Sequence, residues 1–350
     1  MVGQRYVRML SCHPYFEVTA LTGLSSVGKK YNEVVRSASE INAGSRFRRR
    51  REKQNTVGDL IVQPTRPEFL DVDLVFSPLP TEAARTLESR FAKRGLKVIT
   101  DASPHRMEPD VPLIVPEVNP DHLSLIDWQR KSRGWDEGFI VATPNCTVAG
   151  LALVLKPLDE LAGIRKAIVA TLQALSGAGY PGVPSLDIVD NVIPYIKDEE
   201  EKVAQEALKI LGAANNHGVH PSQMEVSAMC HRVATTDGHL ESVYIETKES
   251  ISLERVKEAL RIFSGIPQKL RLPTAPTRPI IVTEADDRPQ VRLDRDAGSV
   301  PGMGVTVGRI RKGLDSRSLR LTLLSHNTVR GAAGSTILTA ELMESQGLLD

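Results

Sequence analysis

Within about thirty residues the chain switches between two hydrophobic periods, and that switch restricts the fold more than any other feature. Residues 73–80 read DLVFSPLP, an apolar run closed by prolines; 81–95 read TEAARTLESRFAKRG, with apolar positions at helical spacing and a glycine at the end; 96–103 read LKVITDAS, apolar again. Two strands joined through a helix run parallel, because only a crossover of that length can return the chain in the same direction. Upstream, YFEVTALTGLSS (15–26) reads as a strand ending in a small-residue loop, and the opening MVGQRYVRML reads as a helix. The alternation predicts an α/β fold with a doubly wound, Rossmann-like parallel sheet.

After GFIVATPNC (138–146) the texture changes. Longer strand-like runs follow, RKAIVATLQAL, ESVYIETK, GVTVGRIRK and SLRLTLLSH, and they imply an α+β domain with a large mixed sheet. The segment GAAGSTILTAELMES (331–345) returns to a helical period and is expected to pack back on the first domain. The division is therefore 1–145 plus 328–350 for a nucleotide-binding domain and 146–327 for a second domain. With 350 residues, 41% of them hydrophobic, the chain can bury the cores of both.

Charge and cysteines narrow the partners. The formal net charge of +1 exerts no long-range pull on nucleic acid or an anionic membrane, so a small-molecule partner is expected. Cys12, Cys146 and Cys230 make no disulfide framework and no zinc motif, so a reducing, cytoplasmic compartment and no metal are expected. The run SRFRRRREKQ, with Arg46, Arg48, Arg49, Arg50, Arg51 and Lys53, reads as a solvated surface insert or as non-coding sequence wrongly translated, rather than a nuclear signal or nucleic-acid arm, given the balanced charge elsewhere.

The chemistry starts at ATPNCTVAGLALVLKPL. Helical period begins just after Cys146, which places the thiol at a helix N-terminus, where backbone N–H groups and the helix dipole favour a thiolate. The expectation is a lowered pKa and a nucleophile for a carbonyl carbon, with a buried structural cysteine as the alternative. In CHRVATTDGHLESVYIETK, Arg232 can grip a carboxylate bidentately and His239 opens a strand with a group that titrates near neutrality. His13, His122, His217 and His220 sit in turns and offer less. TLQALSGAGYPGV ends a strand in a glycine turn that lets backbone approach a ring or phosphate. In YIKDEEEKVAQEALKIL, Glu199 and Lys202 share a helix face, suited either to a zwitterionic ligand or to a surface ion pair.

Taken together these residues resemble aspartate-semialdehyde dehydrogenase over essentially the whole chain. SPLPTEAA, VPEVNPDHL, SGAGYPGVPSLDIVDNVIPYI, GRIRKG and HNTVRGAAGSTILTAEL are most similar to the fungal and archaeal branch. The resemblance implies Cys146 as acyl-thioester nucleophile, His239 as acid/base and Gln173 as a substrate-positioning residue. Arg232 and Glu199 would hold the substrate's carboxylate and amino group, and Arg106 and Lys202 would bind phosphate. NADP would meet Gly3, Ser25, Ser26, Ser77, Ser176, Gly177 and Asn327, although Ser25 stands where many relatives carry an arginine. The implied second domain is catalytic and dimerising, and the implied assembly is a homodimer or homotetramer. The implied reaction is the phosphorylating oxidation of L-aspartate 4-semialdehyde, run reductively in lysine, methionine and threonine synthesis.

The family pattern opens with an apolar strand and G-x-T-G-x-V-G-Q-R, of which MVGQRYV matches only the end, with Gly3 as the last glycine. A truncated gene model is therefore expected. A missing central strand removes five or six buried side chains, on the order of 10 kcal/mol. Poor folding or weak NADP binding would follow. A malonyl-CoA reductase, an N-acetyl-glutamyl-phosphate reductase and a non-catalytic relative are the competing readings; Glu199 with Arg232 favours an amino-acid substrate.

Overall fold

The computed structural model describes residues 1–35, 56–215 and 217–350; the basic run 46–53 lies outside them. The first half carries short parallel strands. β1 (Thr22–Gly23) pairs with β2 (Gln63–Pro64), while β3 (Leu74–Ser77), β4 (Lys97–Thr100) and β5 (Phe139–Ala142) form a separate sheet in that order. The β3–helix–β4 unit anticipated from the alternation is present, with the helix at Thr81–Lys93. Its Phe91 and Ala92 are buried with Val98 and Ile140 in one core.

The expected strand over 15–26 shortens to Thr22–Gly23, and residues 17–21 run without ladder partners among the described residues apart from Leu21 O, which accepts from Gln63 N. The reason lies next door. Among the described residues β3 pairs with β4 alone, so the sheet is in two pieces, and a cavity of about 730 Å³ separates them. Val18, Leu21 and Phe76 line it, with Tyr6 and Gly3 from the first helix, Val2–Leu10, and Leu349 from the C-terminus. A strand forms where a neighbour takes up its amides, and across this gap neither side has one.

The second half contains a small hairpin of β7 (Ala213–Asn215) and β8 (Gly218–His220) and one large mixed sheet. The sheet comprises β6 (Ile164–Gln173), β9 (Glu225–Arg232), β10 (His239–Thr247), β11 (Ile280–Val282), β12 (Val305–Lys312) and β13 (Ser318–Ser325), in the order β11-β12-β13-β10-β6-β9. Alternation along β6 sends Ala167, Val169 and Thr171 to a buried face and leaves Leu172 41% exposed on the other. Helices Cys146–Ala162, Glu199–Ile210 and Leu253–Ile262 supply Leu151, Val203 and Val256 to the core on the buried face. The helix Gly334–Ser345 buries Leu338, Leu342 and Met343 with Ile99 and Phe139, and so does pack back on the first half. No helix among the described residues is long and apolar enough to cross a membrane.

Candidate active site

Parallel pairing of β6 with β9 sets Gln173 opposite Arg232, and antiparallel pairing with β10 brings His239 to the same end of the sheet. Facing them is the start of the helix Cys146–Ala162. Asn145 caps that helix: its Oδ1 accepts from Thr147 N at 2.8 Å. Cys146 is thereby the first helical residue, as the apolar period after it implied, and its Sγ lies 3.2 Å from His239 Nε2.

The protonation states differ from the expectation of a lowered thiol pKa. Burial of the sulfur, reinforced by the Glu199 carboxylate, pushes the Cys146 thiol up to about 12, against the opposing pull of Arg106 and Arg232. Desolvation here outweighs the helix N-terminus. His239 is fully buried, and burial together with the Arg232 charge brings its pKa down to about 3, so the ring is neutral. Ala174 N–H donates to His239 Nδ1 at 3.1 Å, which leaves the ring proton on Nε2, facing the sulfur.

Substrate-side groups surround this pair. Arg232 donates through Nη1 to Ala174 O at 2.6 Å, keeping the rest of its fork for a ligand. Both carboxylate oxygens of Glu199 accept from Asn145 Nδ2 at 3.0 Å, so the cap residue also anchors Glu199. Gln173 is buried, with Nε2 directed to Thr171 Oγ1 at 3.3 Å. Arg106 reaches Glu206 Oε1 at 3.0 Å and Asp101 O at 2.6 Å. Lys202 is half-buried one turn beyond Glu199 on the same helix.

The residues expected at the dinucleotide fall into two groups. Ser176 Oγ accepts from Asn327 Nδ2 at 2.7 Å, and Asn327 Oδ1 accepts from Gly238 N at 2.8 Å, so both border the His239 loop. At Gly177 an added Cβ would sit 2.8 Å from Arg232 Nη1 and 3.3 Å from His239. Bare backbone there lets the turn pack directly against the Arg232 guanidinium and the His239 ring. The other group lines the sheet cavity or its surroundings. Gly3 faces Pro78, Ser77 gives its hydroxyl to Glu88, and Ser25 and Ser26 follow β1 in an exposed to half-buried loop. The first helix has no acidic residue in its first turn and no side-chain hydrogen bond at its cap.

Four residues of the site escape a reading of the sequence. Glu206 and Lys209 look like surface positions in an acidic amphipathic helix, yet both are buried. Lys209 Nζ donates to the carbonyls of Arg106, Glu108 and Val111 at 2.7–2.8 Å, and burial lowers its pKa to about 8. Arg330 and Glu117 form a fully buried pair at 2.9 Å. That pair anchors the turn Val329–Ala333, whose Gly331 packs so tightly that a Cβ would lie 2.7 Å from that of Cys146.

Comparison with known proteins gives the family. Residues 1–126 match the NAD binding domain of semialdehyde dehydrogenase, and residues 155–330 match its dimerisation domain. Aspartate-semialdehyde dehydrogenase from Archaeoglobus fulgidus is 50% identical over 350 residues, covering 100% of this chain and 96% of that one. Malonyl CoA reductase (NADP) from Metallosphaera sedula is 46% identical over 353 residues, with 100% and 96% covered. The crystal structure of the Candida albicans aspartate-semialdehyde dehydrogenase with NADP superposes with a TM-score of 0.85 at 40% identity, covering 99% of this chain and 96% of that one. With both halves and full-length relatives in accord, the chain belongs to the semialdehyde dehydrogenase family of oxidoreductases.

Proposed function

We propose that the protein catalyses the phosphorylating oxidation of L-aspartate 4-semialdehyde to L-4-aspartyl phosphate, with Cys146 as nucleophile, and that in the cell the reaction runs reductively toward lysine, methionine and threonine. The observation that carries this reading is the Cys146 Sγ to His239 Nε2 contact at 3.2 Å, with Arg232 and Glu199 buried around it. Asn145 takes up the N–H groups of Thr147 and Ala149, so the N–H of Cys146 at the helix start is the one that meets the oxyanion as sulfur bonds to the aldehyde carbon and the thiol proton passes to the oxygen. His239 Nε2–H steadies that oxygen. For the ring to take the hydroxyl proton at the oxidation step, its own proton must shift to Nδ1, and the Ala174 N–H contact must open. Bound NADP⁺ supplies the acceptor for the departing hydride. Arg106 and Lys202 then bring inorganic phosphate to the Cys146 thioester; the new P–O–C bond forms as the C–S bond breaks, returning the thiolate.

Arg232 as the carboxylate clamp and Glu199 as the ammonium partner select an amino acid. The Metallosphaera sedula relative supports a second reading, malonyl-CoA reduction, on the same scaffold. Assay of the purified protein separates the two: NADPH formation that requires both L-aspartate 4-semialdehyde and phosphate supports the first, and NADPH consumption with malonyl-CoA alone supports the second. The assembly is proposed to be a homodimer or homotetramer built through the half-exposed face of the large sheet, where Leu172 and Met229 lie.

A further inference from the structure

Glu206 lies on the helix Glu199–Ile210, and its side chain is 2% exposed. Its two oxygens serve two different parts of the site. Oε1 accepts from Arg106 Nη1 at 3.0 Å, and Oε2 accepts from the backbone N–H of Asn145 at 2.6 Å. Asn145 immediately precedes the nucleophile and caps its helix. One carboxylate therefore spans the distance between the guanidinium and the start of the Cys146 helix.

Only an ionised carboxylate can do this. An amide in its place has one acceptor oxygen and one donor nitrogen, so a glutamine would turn an N–H toward either the guanidinium or the Asn145 N–H. The rest of Arg106 is equally constrained. Nη2 donates to Asp101 O at 2.6 Å, and the carbonyl of Arg106 is held by Lys209 Nζ at 2.7 Å. Arg106 Nε–H, buried, has no partner among the described residues and is the donor left over for a ligand.

We propose that Glu206 is a positioning residue for the phosphate step, fixing Arg106 at a set separation from Cys146 so that a bound phosphate oxygen meets the thioester carbon. This rests on the reading that Arg106 binds phosphate. Misplacement by about 1 Å at a reacting centre costs on the order of a hundredfold in rate, which is the scale on which such a brace acts. A brace that only supported the fold would not distinguish one substrate from the other.

The test is a double-mutant cycle on the intact enzyme, reading KM for phosphate and KM for L-aspartate 4-semialdehyde separately. Glu206→Gln is expected to raise KM for phosphate by about tenfold and KM for the semialdehyde by less than about threefold, because the second substrate's clamps are elsewhere. Arg106→Ala should do the same, and the double variant should be no worse than Arg106→Ala alone. If Glu206→Gln is not folded, Glu206→Asp keeps the charge but is one methylene too short to reach both partners, and it should show the same selective loss. Multiplying effects in the double variant, or an unchanged phosphate KM in Glu206→Gln or Glu206→Asp while Arg106→Ala raises it, overturns the proposal and leaves Arg106 in place. An unchanged phosphate KM in Arg106→Ala overturns the Arg106 reading and this proposal with it.

Discussion

At the scale of single residues, the site stores its nucleophile as a thiol. With the Cys146 pKa at about 12, only a trace is thiolate near neutrality, so alkylation of the free enzyme by iodoacetamide should be slow. Its rate should climb about tenfold per pH unit from 7 to 10, and a plateau below pH 9 would contradict the raised pKa. Cys146→Ala should abolish semialdehyde oxidation outright; turnover within tenfold of the parent would remove the nucleophile assignment. Arg232→Lys replaces a planar fork by a point charge and loses geometry at the carboxylate, so KM for the semialdehyde should rise several-fold with kcat less affected. An unchanged KM would place the clamp on another residue.

At the scale of elements, two turns hold the nucleophile in place from either side. Gly177→Ala would drive a methyl into Arg232 and His239, and activity should fall while the melting temperature hardly moves, since the turn is at the surface. The turn Val329–Ala333 is the opposite case. Glu117→Gln leaves the Arg330 charge buried and uncompensated, with an expected loss of about 3–5 kcal/mol in denaturant titration. A loss under about 1 kcal/mol would mean that water reaches the pair. The sequence made the helix start at Cys146 legible because helical period begins just after it, and the strands at 164–173, 239–247, 305–312 and 318–325 were legible from their periods. Glu206, Lys209 and the Glu117–Arg330 pair were not, because a charged residue within a charged helix or a loop carries no local sign of its burial. Nor was the thiol pKa, which depends on how deep tertiary packing buries the sulfur. The stretch 17–21 misled for the converse reason: its alternation is strand-like, but strand formation is decided by a neighbour that the local pattern cannot report.

At the scale of the whole molecule, two buried histidines weaken the fold in acid. His239 and His326 have pKa values brought down to about 3 and about 4, mainly by burial, against about 6.5 in an unfolded chain. Below about 6.5 the unfolded state binds protons that these two rings refuse in the folded state, so they withdraw stability as pH falls toward 4, while the buried carboxyls of Glu88, Asp101 and Glu241, whose pKa values burial raises, work in the opposite sense. His326→Asn should lose less melting temperature than the parent between pH 6.5 and 4; an equal loss in both would show that the ring is solvated. The divided parallel sheet adds a liability of another kind. β3 ends its sheet among apolar side chains, and on the side away from β4 the segment Leu74–Ser77 has no strand partner among the described residues. Such an edge is a template, and a strand supplied to it from outside would be taken up along the same row of backbone groups.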